Sequence, residues 1–369
     1  MVTDPAGPSD LARVLLGTAL RVRRGENVII ETWSHSLPYS TACVVEARRL
    51  GAHPMLMLED ETAYWRSLDV APAIGRWSRV GRHEWSALDA THAYVFFPGP
   101  EDRPRFTALP TSHRNALTTY NREWHRRARS AGTRAVRCLL GYASDPQAAF
   151  WGIPGEKWRE RLLRSTVDVD YRAIGAEASR LYRRLVEGKL LRITGDNGTD
   201  LQVKLRHRPP VVDDGIVGRH DVAEGRFLTT APPGTVVTAV DESSAEGVVT
   251  ANRTSYLRGG RVDGGQWEVH AGHLVNAWYT DGQRTFETAF KAAPKGRDVV
   301  GLVSIGLNPE IGPGVPQVED QEAGAVTIAV GGNRQFGGRN SCPFISWIVV
   351  AEATVAIDGR PVLDRGKPL

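Results

Sequence analysis

The chain has 369 residues, of which 24% are charged and 41% apolar, and a formal net charge of +4. That length favours two domains, and the balance excludes a disordered or fibrous chain. No run approaches the roughly 20 consecutive apolar residues of a membrane span, so no membrane partner is expected.

The opening "MVTDPAGPSDLARVLLGTALRVRRGENVII" places Asp4, Pro5 and Pro8 before its apolar segment, without a cationic head or a small-residue cleavage site. A secretory signal is therefore not expected. Cys43, Cys138 and Cys342 are too widely spaced for a zinc knuckle and do not suggest a disulfide framework. The expectation is a thiol-reduced, cytoplasmic protein.

Residues 9–23 carry Leu11, Val14, Leu15, Thr18, Ala19 and Val22 at helical spacing, with Ser9 as N-cap and Arg24-Gly25 as the stop. "NVIIET" then reads as a buried strand, "SLPYSTACVVEARRLG" as a helix closed by Gly51, and "HPMLMLE" as a second strand. Strand, helix, strand in that order is the crossover unit of a parallel sheet. "HAYVFFPGP" and "RAVRCLLGY" continue it. The arginine-rich stretch between them, residues 121–137, reads as a solvated helix face. No nucleic-acid signature accompanies it, and no nucleic-acid partner is expected.

An N-terminal α/β domain is thus predicted over residues 1–165 and a connecting helix over 166–188. From residue 189 to 369, short alternating strands separated by glycine turns, with one helix near 283–293, predict a strand-rich α+β domain.

Several segments together resemble the thermophilic-type aminopeptidases, metallopeptidase family twenty-nine, of the aminopeptidase T kind, and their relatives the 2,5-dihydroxypyridine dioxygenases. They are "LARVLLGTALRVRRGENVIIE", "EARRLGAHPMLMLE", "LLRITGDNGTDLQVKL" with "VVDDG", "TTAPPGTVV", "VGLVSIGLNPEI", "VEDQEAGAVTIAVGG" and "GGRNSCPFISWIVVAEATVAIDG". Their order along the whole chain carries the resemblance. It implies the aminopeptidase T fold and a homodimer.

The resemblance also implies where metal ligands should stand, and this chain departs from it. Phe227 occupies the position of the glutamate before "TAP", with Glu224 three residues away; Leu302 stands at the ligand of the "GIGxNP" block. The following acid falls on Asp320 or Glu322, its histidine on Thr327, and the His-x-Asp pair on Ile345 and Trp347. Aliphatic and indole side chains cannot ligate a divalent ion. The expectation is therefore no inherited metal, no cofactor, and a drier cavity walled by Leu302, Thr327, Ile345 and Trp347.

Such a cavity suits an aromatic or aliphatic small molecule held by a few polar anchors, for which Asn308, Arg334, Arg339, Asn340 and Ser341 are candidates. A carboxylate in apolar surroundings has its pKa raised, so Asp320 or Glu322 is the candidate general acid or base. Either reads equally as a solvated acid of the "VEDQEAG" turn. His220, beside Asp221 and Glu224, is a third candidate, as acid/base, relocated ligand or plain loop histidine.

His270 and His273 flank Ala-Gly in what reads as a hairpin tip rather than a metal site. Cys342 reads first as a small buried hydrophobe. The leading functional reading is a metal-independent, hydrolase-like enzyme acting on a small amine, amide or N-heteroaromatic molecule. Alternatives are an active metallo-aminopeptidase or dioxygenase with relocated ligands, and a non-catalytic binding or scaffold homologue.

Overall fold

Four apolar runs of the first half become the parallel strands β1 (Asn27–Trp33), β2 (His53–Glu59), β3 (Ala93–Phe96) and β4 (Arg134–Cys138) in a computed structural model that describes residues 6–70, 81–257 and 260–369. They lie in the order β2-β1-β3-β4. Gly25 and Gly51, at φ of +81° and +75°, stop the helical segments before β1 and β2, as their lack of a Cβ permits. The helix between those strands spans Leu37–Arg49.

The first helix departs from the sequence reading. Gly7, not Ser9, is its N-cap, with Asp10 accepting the Gly7 N–H at 2.9 Å. After Arg13 the backbone widens into a π-turn over Val14–Ala19. Leu11, Leu15, Leu16, Ala19 and Leu20 are nevertheless all buried.

A fifth strand, Leu228–Ala231, joins the sheet beside β4 and parallel to it. The chain accordingly forms two units, Met1–Asp168 with Gly215–Pro232, and Val169–Asp214 with Pro233–Leu369. The helix Tyr171–Glu187, capped by Asp170, belongs to the second unit, and residues 215–232 return to the first. This differs from an unbroken second domain starting at residue 189. Pairing between strands some ninety residues apart leaves no local periodicity in the sequence.

The second unit is antiparallel. One sheet has eight strands and contains the hairpin Gln266–His270 with His273–Trp278, whose tip residues Ala271 and Gly272 have φ of 48° and 81°. The other has five, in the order Ile345–Val350, Val326–Gly331, Val300–Gly306, Thr235–Ala239, Val211–Asp213. Both architectures match the expected classes, a parallel α/β part and a strand-rich part.

The arginine-rich stretch ends the helix Thr111–Ala131 and continues into β4. Arg126 and Arg127 pair with Glu123, and Arg127 also with Asp89. Arg134 is buried against Glu26 at 2.5 Å. All three cysteines are buried and unpaired by disulfides. Among the described residues, no helix is long and apolar enough to cross a membrane.

Candidate functional site

The five-stranded sheet of the second unit decides which side chains meet. Ala329 sits opposite both Leu302 and Trp347, and Leu302 opposite Ala239. Directly opposed residues share a face, as do residues two apart along a strand. Leu302, Ala239 and Ala329 thus form a buried cluster, against which the half-buried Ile345, Trp347, Val237 and Phe336 pack. Three of the positions at which the resemblance implied metal ligands are therefore one continuous apolar surface. None offers a donor, so the side chains do not fit the metal that this fold implies.

Thr327 lies on the same face, two residues from Ala329 and opposite Ser304. Both hydroxyls are buried, with residue exposures of 6% and 5%, and neither has a hydrogen-bond partner among the described residues. A buried unsatisfied hydroxyl costs about 1–3 kcal/mol, so two adjacent ones require an explanation.

The decisive carboxyl is one that sequence reasoning missed. Glu319, 4% exposed, accepts the Trp347 indole N–H at 3.3 Å and the Tyr256 backbone N–H at 3.2 Å, both on Oε1. Its Oε2 is buried without a partner among the described residues. Desolvation raises its pKa to about 8, with the neighbouring Asp320 charge adding to the rise. The raised pKa favours the neutral acid, in which Oε2 can carry the proton while Oε1 accepts. The acid-rich run "VEDQEAG" was the available signal, but only the fold shows which acid turns toward Trp347.

Asp320, half-buried, is raised to about 6, chiefly by desolvation and further by the Asp213 charge. Glu322 is a different case. Arg253 grips both its oxygens, with Nη2 at 2.8 Å from Oε1 and Nε at 2.9 Å from Oε2. A bidentate guanidinium pair makes Glu322 a structural anchor rather than a free acid or base.

Other candidates scatter. Asn308 is fully buried, its amide donating to the Pro233 carbonyl at 2.8 Å and accepting from the Glu310 N–H at 3.0 Å. The Asn340 amide donates to the carbonyls of Gly296 and Gly331, which locks a loop. Arg339 donates its backbone N–H to Glu242, while Arg334 and Ser341 are exposed. Cys342 is buried, as a small hydrophobe would be.

His220 is on the surface of the first unit, in the short helix Arg219–Ala223, with an 83% exposed side chain 3.2 Å from Glu224. Phe227, at the expected glutamate position, is packed in that unit's core with Tyr94 and Trp124. His270 and His273 are exposed and paired separately, to Glu246 at 3.0 Å and Asp298 at 2.7 Å.

With this geometry in place, the comparisons with known proteins concern the fold. No family profile matches the chain, and neither does any curated protein. Among solved structures, wild-type AmpT from Thermus thermophilus is similar with a TM-score of 0.70 at 20% identity, over 98% of each chain.

The fold is AmpT-like.

The 2,5-dihydroxypyridine dioxygenase from Pseudomonas putida KT2440 is similar with a TM-score of 0.65 at 14% identity, over 100% of this chain and 98% of that one. These two AmpT-like structures correspond to the two kinds of protein that the sequence segments resemble. At such identities the likeness extends to the fold and not to the chemistry.

Proposed function

We propose that this AmpT-like chain is a metal-independent enzyme of small-molecule metabolism. Its substrate is a small amine, amide or N-heteroaromatic compound, bound against the Leu302, Ile345 and Trp347 face. The observation that carries the reading is the Glu319 carboxyl, buried against Trp347 with one oxygen unpartnered. A neutral acid there can donate a proton to a substrate nitrogen, while Asp320, ionised above about pH 6, can take one from water. Ser304 and Thr327 supply hydroxyls for orientation, and the apolar face excludes solvent. The chemistry is hydrolytic or rearranging, and a homodimer is the assembly that the resemblance implies.

The test incubates chelator-treated protein with a panel of small amides, amines and N-heteroaromatics, followed by mass spectrometry. Conversion of a panel member is expected, with Glu319→Gln lowering turnover by about a hundredfold or more while binding persists. Saturable binding without turnover would make the chain a non-catalytic binding homologue. Conversion abolished by chelation and restored by metal would overturn the metal-independent reading.

A further inference from the structure

The first unit holds a second constellation, independent of the reading above. β1, β2 and β3 are adjacent and parallel, so their carboxyl ends lie along one edge of the sheet. The segment that follows each strand supplies one donor residue. His35 lies in the 3-10 turn Ser34–Ser36 after β1, and Glu61 opens the helix Glu61–Val70 after β2. Glu101 lies in the loop after β3. One ligand atom from each lies within 4.8 Å of the others. The edge beyond the carboxyl ends of parallel strands is where open α/β sheets bind ligands.

The state of His35 makes this more than a polar cluster. Its side chain is 10% exposed, and Nε2 lies 2.7 Å from the Gly141 carbonyl, in the segment after β4. A carbonyl oxygen only accepts, so Nε2 carries the hydrogen. In the neutral ring, Nδ1 then presents a lone pair. Nδ1 is buried and has no hydrogen-bond partner among the described residues, and the Glu101 Oε2 facing it is 4.0 Å away. In that neutral ring two acceptors confront each other, a conflict that either a proton on Nδ1 or a cation between them resolves. A ring nitrogen held by a backbone carbonyl while the other is left free is the usual orientation of a metal-binding histidine.

Glu61 is oriented as firmly. Its Oε1 accepts from the Trp65 indole and the Asp102 backbone, both at 3.0 Å, and its Oε2 from the Glu101 backbone at 2.9 Å. These bonds tie the loop after β3 to the helix after β2. Glu101, with a side chain 30% exposed, retains freedom to swing.

We propose that His35 Nδ1, Glu61 and Glu101 form a binding site for a divalent transition cation of the zinc class. Imidazole with two carboxylates suits zinc, whereas magnesium and calcium favour oxygen donors alone. Bonds of about 2.0–2.2 Å place tetrahedral ligands about 3.3–3.6 Å apart, so the carboxylates close inward on the ion, Glu101 most. Three protein donors leave the fourth position for water. The ion would cross-link the three segments that follow β1, β2 and β3.

The test titrates chelator-treated, full-length protein with zinc chloride at about pH 7, by calorimetry and thermal shift, and with cobalt(II) by visible absorption. One equivalent is expected to bind, with a rise in Tm and a cobalt spectrum showing nitrogen ligation. His35→Ala should remove that spectrum, and Glu101→Gln, at a partly exposed position that tolerates change, should weaken zinc binding more than about tenfold. Glu319→Gln should leave uptake unchanged, so a failure here is distinct from a failure of the proposed chemistry. Absence of uptake by the wild type, millimolar saturation marking an adventitious ion only, or uptake equal in wild type and both variants would overturn the site.

Discussion

The Trp347 indole N–H donates to Glu319 Oε1 at 3.3 Å, which joins the apolar face of the five-stranded sheet to a buried carboxyl. Trp347 stands where the resemblance implied a metal-binding aspartate. The contact that stands in place of ligation is a hydrogen bond to a carboxyl whose pKa burial raises.

That acid sets a pH dependence of stability. A carboxyl whose pKa rises from 4.5 to about 8 binds more protons folded than unfolded between those values, so stability falls as pH rises through that window. Glu31, raised to about 7 by burial despite the Tyr94 hydroxyl that donates to it, acts in the same direction. The Tm should decline from pH 5 to pH 8, and Glu319→Gln should flatten the decline. Parallel wild-type and variant curves in thermal scans would show that Glu319 is not the group responsible.

Catalysis should follow a bell-shaped profile, because the base needs Asp320 ionised and the acid needs Glu319 protonated. The expected limbs lie near pH 6 and pH 8. Adjacent acids titrate as a coupled pair, so these are properties of the pair. Asp320→Asn should remove the acidic limb, and a pH–rate profile on the converted substrate checks it.

The unpartnered hydroxyls should reveal themselves by a trade-off. Ser304→Ala and Thr327→Val each remove a buried group without a partner, and should stabilise the free protein by about 1 kcal/mol in chemical denaturation. Each should also weaken ligand binding. Loss of stability in both variants would indicate that the hydroxyls are already satisfied.

Restoring ligand types should not restore a metal site. Trp347→Asp with Ile345→His places polar groups against Leu302 and Ala329 and should cost about 2–4 kcal/mol, moderated because both positions are half-buried. Zinc affinity attributable to the two new side chains should be absent or weak. A double variant with unchanged Tm would contradict the packing described for this face.

Assembly offers a further check. Trp65 is 6% exposed beneath Arg105, and the half-buried Trp124 packs on Tyr94 and Phe227, so neither is an exposed anchor for the homodimer that the resemblance implies. The edge strand His273–Trp278 instead exposes Val275 and Trp278. A dimer through that strand should dissociate in Trp278→Lys, as light scattering at micromolar concentration would show; a wild-type monomer would rule the dimer out.

Local rules carried the sequence reading far. Glycine stops before β1 and β2, the helix Gln283–Ala292, and the Asp358-Gly359 hairpin between Thr354–Ile357 and Arg360–Asp364 are each set by residues a few positions apart. Strand alternation alone puts Ile345 and Trp347, two residues apart, on one face, and the apolar character of the implied ligand positions is visible from residue identity. Tertiary structure decided what those faces meet. Arg253 reaches Glu322 across sixty-nine positions, which removes one acid candidate, while Glu319, beside the expected Asp320, is the acid that Trp347 touches. Leu228–Ala231 completes a sheet whose other strands end by Cys138, and His35, Glu61 and Glu101 converge only because three parallel strands end together. The physical reason is the range of each cause: turn chemistry and side-chain alternation act within a few residues, whereas burial, partner choice and pKa depend on the register of segments that only the folded chain brings into contact.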